Sequence, residues 1–77
     1  MTSTYTQITE ENLYSFPIGS RVEFNYGAMY GSEFGLVVDY RVTEFGADLI
    51  AETESGEIKY INGFSTVGVG VRLVELA

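Results

Sequence analysis

The chain reads as all-β, a small barrel or sandwich of five strands behind one short helical turn. Three observations carry this expectation. Five runs of largely alternating apolar and polar residues are separated by turn-forming residues. Gly27, Gly31 and Gly35 recur at a spacing of four between the first two runs, where the chain must reverse. The only helix-start signal lies before Pro17, the single proline.

Met1 to Gln7 is polar, Thr-rich and unpatterned, and is expected to be a loose tail. Thr9 suits a helix N-cap, with Glu10 and Glu11 placing negative charge in the first turn. Ile8 before the cap and Leu13 beyond it can form a hydrophobic staple. Pro17 disfavours helical geometry at Phe16, so the helix stops by about Ser15. The division expected is a tail and short helix over 1–15 and a β-barrel domain over 16–77.

Arg21 to Tyr26 alternates cleanly, with Val22, Phe24 and Tyr26 on one face and Arg21, Glu23 and Asn25 on the other, as in a half-buried strand. Leu36 to Thr43 places Leu36, Val38, Tyr40 and Val42 on one face and leaves Val37 on the other. A long strand that bends near a bulge would show this double-sided character. Thr43 to Gly46 reads as a tight connection. In the run from Ala47 to Thr53, Leu49 and Ala51 point inward and Asp48 and Glu52 outward, with Ile50 unaccounted for. Glu54-Ser55-Gly56 is a hairpin signal, and Glu57 to Ile61 returns with Ile58 and Tyr60 inward. Val67 to Leu76 closes the domain with Val67, Val69, Val71 and Leu73 on one face. Gly68 and Gly70 there allow a closely crossed backbone.

At 77 residues, with no Cys and no His, the domain can be stapled by neither a disulfide nor a Cys/His zinc site. Packing must stabilise it, near the lower size limit for an independent core. Eleven acids against four bases (Arg21, Arg41, Lys59, Arg72) give a net charge of −7. Binding to phosphate backbones rests on Lys and Arg, so nucleic acid and anionic membranes are not the expected partners. A basic protein surface is the complementary one. No apolar run approaches the roughly twenty residues of a membrane span, and the first residues lack the basic start of a signal peptide, so the expected location is cytoplasmic.

Gly19-Ser20-Arg21-Val22-Glu23-Phe24, followed by Gly27, Gly31, Gly35 and Val37, resembles the KOW motif of ribosomal proteins and transcription elongation factors. The resemblance covers about residues 18–40, with one extra residue near Phe34. It implies a five-stranded Src-homology-3-like barrel. Family members commonly carry Lys or Arg in the loop that contacts RNA. Here the positions hold Ala28, Met29, Tyr30, Ser32 and Glu33, none of them basic. The order is also similar to that of short uncharacterised bacterial, plasmid or phage proteins.

Without His or Cys, Ser-His-Asp and Cys-His nucleophiles are excluded. Asp39, Asp48, Glu52, Glu54 and Glu57 alternate with apolar residues or flank a hairpin, as solvated strand faces do. No spaced Asp/Asn loop resembles a calcium site, and no Lys-Ser or Lys-Thr follows the glycines to cradle phosphate. No catalytic, metal or cofactor site is expected.

The aromatic surplus remains. Val22, Phe24, Leu36, Val38, Leu49, Ile58 and Val71 are the expected core, with Phe34 and Phe64 capping its ends. Tyr26, Met29, Tyr30, Glu33 and Phe45 are the candidate partner-binding residues, combining loop aromatics with an acidic rim. They suit a non-enzymatic module that binds a basic protein, or that self-associates. The alternatives are a KOW-like nucleic-acid factor, which needs clustered bases, and an acidic mimic of nucleic acid, which needs carboxylates in rows.

Overall fold

The computed structural model describes residues 5–25, 31–61 and 70–77. A 3-10 turn at Leu13–Ser15 precedes five strands: β1 (Arg21–Asn25), β2 (Ser32–Thr43), β3 (Gly46–Thr53), β4 (Ile58–Ile61) and β5 (Gly70–Glu75). They form one antiparallel sheet in the order β4-β3-β2-β1-β5. The all-β class and five strands expected from the sequence are present. β2 begins at Ser32, however, so Ser32 to Gly35, expected to belong to the Gly-rich connection, are strand residues paired with β1. Residues 62–69, including the expected start of the last strand at Val67, lie outside the described residues.

Asn12, not Thr9, is the N-cap of the 3-10 turn, but Thr9 makes capping-box hydrogen bonds one turn earlier. Its Oγ1 accepts the Asn12 N–H at 3.2 Å, and Asn12 Oδ1 accepts the Thr9 N–H at 2.8 Å. This is a reciprocal capping arrangement with Asn in the place usually taken by Glu or Gln. Only a single 3-10 turn follows it, ending at Ser15 before Pro17. Ile8 and Leu13 are both buried in the core, in keeping with a staple.

The N-terminal segment is no loose tail where it is described. Thr6 exchanges both backbone hydrogen bonds with Val71, at 2.9 and 2.8 Å, and so extends the sheet beyond β5. Gly70 permits this approach, because a Cβ there would stand 2.7 Å from Tyr5 Cβ.

Val22 and Phe24 of β1 are fully buried, as alternation predicted, together with Leu13, Val37, Leu49, Ala51 and Val71. β2 departs from its predicted face. Gly35 and Val37 point into the core, whereas Leu36, Val38 and Val42 are exposed. The ladder with β3 shifts register between Val37 and Asp39, the irregularity that a β-bulge produces. One extra residue exchanges the two faces, so Tyr40 returns to pack on the core. Its hydroxyl donates to the Phe16 carbonyl at 2.6 Å, and burial raises the phenol pKa above its ordinary value. The bend was legible in the sequence; its phase was not.

β4 is also inverted, with Ile61 buried and Ile58 and Tyr60 exposed. In β3, Leu49 and Ala51 point inward as expected and Glu52 is exposed. Asp48 is buried despite its place on the outer alternation. Arg41, its cross-strand partner, covers it and donates from Nε to Oδ2 at 2.8 Å.

Both expected tight turns are present. Thr43 pairs with Gly46 around Glu44 and Phe45, and Thr43 Oγ1 accepts the Phe45 N–H at 3.1 Å. In the β3–β4 hairpin the Gly56 N–H reaches the Thr53 carbonyl at 2.9 Å. Gly56 has φ +87, a conformation that favours glycine. No helix among the described residues is long and apolar enough to cross a membrane.

Candidate protein-binding face

Three of the predicted partner-binding residues, Tyr26, Met29 and Tyr30, lie outside the described residues, as does Phe64. Phe45 sits at the tip of the β2–β3 turn and is 72% exposed. Glu33 is half-buried near the start of β2, opposite Phe24. Glu33 and Phe45 therefore occupy opposite ends of a 12-residue strand and do not form one site.

The structure instead gathers apolar side chains on the outer face of the sheet. Cross-strand register aligns Leu36 with Glu52 and Glu52 with Ile58; one step along, Asp39, Ile50 and Tyr60 align likewise. Leu36 is 49% exposed, Ile58 45% and Tyr60 56%. Phe34, expected to cap the core, is 36% exposed on this face, because it precedes the bulge on the same side as Leu36. Single exposed apolar residues are ordinary; here several share one face of neighbouring strands, with Glu52 and Asp39 set among them. Reversal of the β2 and β4 phases creates this set. Its sequence signal was the pair of residues, Val37 and Ile50, left over from the alternating pattern.

Two guanidinium groups border the face. Arg21 stands 4.8 Å over the Phe34 ring and reaches Glu54 at 3.5 Å. Arg41 stands 4.8 Å over Tyr60 while it pairs with Asp48. Stacking over an aromatic face orients each cation and covers part of the ring. Between Phe34 and Leu36 on one side and Glu52 and Glu54 on the other lies a shallow groove of about 240 Å³. A second recess of about 320 Å³ adjoins it across Phe34 and Glu54, lined also by Ser32, Glu33 and Ser55. Of the two described candidate residues, Glu33 is the one beside this surface.

All four basic side chains are engaged in ion pairs: Arg21–Glu54, Arg41–Asp48, Lys59–Glu57 and Arg72–Glu23. The seven carboxylates in excess constitute the net charge of −7. Among the described residues, no group of three or more His, Cys, Asp or Glu is arranged to hold a metal ion.

Glu23 is a buried acid next to the face. Ser32 Oγ donates to its Oε2 at 2.7 Å and Arg72 Nε to its Oε1 at 2.8 Å. The Ser32 hydrogen bond, then that of Arg72, holds its carboxyl below the ordinary value, against the opposing effect of burial. A depressed folded-state pKa contributes stability that is present above the unfolded value. That contribution is lost as pH falls through the folded one. Acid titration of unfolding free energy should therefore show a loss beginning near pH 4.5 that is smaller in Glu23→Gln. Superimposable acid limbs would remove Glu23 as its source.

Compared with known proteins, the chain matches no family model, no curated protein and no solved structure, so its function rests on the geometry above.

Proposed function

We propose that this protein is a non-enzymatic protein-binding module built on a Src-homology-3-like barrel, acting in the cytoplasm on a basic partner. The strand order β4-β3-β2-β1-β5 and the long β2 with its bulge support the barrel. The binding reading rests on one observation: an exposed apolar sheet face on a chain whose every Lys and Arg is already paired with its own acid. Such a surface offers apolar contact and a negative field, and it has no cation left for a phosphate backbone.

Screening the folded protein against an array of short peptides tests this. Peptides that combine Arg or Lys with Leu, Ile or Val should be enriched, and acidic peptides of equal hydropathy should not. Duplex DNA and structured RNA should give no mobility shift at physiological salt. Micromolar binding to either nucleic acid that weakens steeply with added salt would replace this reading with a KOW-like one, since counterion release has that signature.

A further inference from the structure

We infer that Glu52 is the cation-recognition point of this face, and that it receives an Arg or Lys flanked by aliphatic side chains on an extended segment of another protein. The inference rests on the protein-binding reading and locates it. Glu52 is exposed and has no ion-pair partner among the described residues. Register sets it between Leu36 and Ile58, with Ile50 two residues before it and Glu54 two residues after, on the same side of β3. A carboxylate flanked by Leu36 and Ile58 keeps its hydration while the face is open. An occupant that buries Leu36 and Ile58 must supply the lost hydration with a charge-assisted hydrogen bond.

This chain's own cations are committed to other acids. Arg21, which lines the same groove, pairs with Glu54 and stacks on Phe34. Arg41, Lys59 and Arg72 pair with Asp48, Glu57 and Glu23. The undescribed segments contain neither Lys nor Arg. A second copy is disfavoured as occupant, because it would bring another net charge of −7 against Glu52 and Glu54. An apolar segment without charge would bury Glu52 unpaired. Charge complementarity therefore selects a basic, aliphatic segment. In a strand, residues two apart share a face, so an aliphatic-x-cation-x-aliphatic pattern offers the cation between its apolar anchors.

The probe is the capped heptapeptide Thr-Leu-Thr-Arg-Thr-Leu-Thr, titrated into the isotope-labelled protein and followed by amide chemical shifts. Shifts are expected at Leu36, Glu52, Ile58 and Tyr60, and not at Glu44 and Phe45. Replacing the peptide Arg with Glu, or both Leu with Ser, should abolish them. Glu52→Lys should weaken binding by about five- to tenfold while leaving the urea melt unchanged, since an exposed pair is worth little but its reversal adds repulsion. Shifts confined to another surface, or equal affinity in Glu52→Lys, would overturn the assignment. So would a sedimenting dimer held through this face. Those results leave the general protein-binding reading in place if the array still selects basic peptides. An array that selects none would remove both.

Discussion

Phe24→Ala should cost about 3–5 kcal/mol, a large share of the stability of so small a domain. Phe24 is the largest of the fully buried side chains, on the central part of β1 between β2 and β5. Its ring edge closes on Gly35, where a Cβ would stand 3.3 Å from Cε1. That wall is backbone in the middle of a paired strand, so it cannot collapse into the cavity, and the full cavity cost is retained. At about 0.05–0.15 kcal/mol per residue, a domain of this size has total stability of about 4–12 kcal/mol. The loss therefore removes from about a quarter of the total to all of it. Urea unfolding followed by far-ultraviolet circular dichroism measures it. A variant that melts within about 1 kcal/mol of the parent would show that the ring is not core.

Val37→Asp should abolish folding, whereas Leu36→Asp one position earlier should change stability by no more than about 1 kcal/mol. Val37 is buried against the core, where an aspartate would lose hydration without a partner. Leu36 is half open to solvent on the opposite face. The same Leu36 substitution should weaken binding of the arginine heptapeptide, so stability and binding separate at adjacent positions. Thermal melts of the two variants suffice for the first part. Equal destabilisation would mean that β2 presents both faces to packed surroundings, and the outer face would then not be an open surface.

The pattern of alternation found five strands and both tight turns without any tertiary information, although it started β2 at Leu36, four residues late. Local causes suffice for this, because pleat, turn chemistry and capping act within a few residues. Thr9 and Pro17 bracket the helical turn in the same way, through hydrogen bonds and sterics internal to the segment. The Glu54-Ser55-Gly56 turn and the Thr43–Gly46 connection were equally readable.

Which face of each strand becomes core was legible only where one phase was unambiguous. In β1 the inward residues Val22 and Phe24 alternate with polar ones, so the assignment held. In β2, Leu36, Val37 and Val38 are consecutive and apolar, and both phases satisfy a hydrophobic count. A shift of one residue moves every side chain to the other face, so a strand that is apolar on both sides leaves the choice to its partners. The candidate site inherited this ambiguity. From sequence Glu52 reads as outward while Leu36 and Ile58 read as core, and only the pairing of β2, β3 and β4 places all three on one face.

Sequence alone set the charge balance and the absence of His and Cys chemistry, through residue types, and the all-β class, through short-range order. Tertiary structure decided which apolar residues are left outside. The bulge after Val37 sets the phase of β2, and antiparallel pairing carries that phase to β3 and β4. It also decided that Thr6 pairs with Val71, through a contact across most of the chain that only the close approach at Gly70 allows. Contacts of that separation arise from the collective fit of several elements, and no local pattern encodes them.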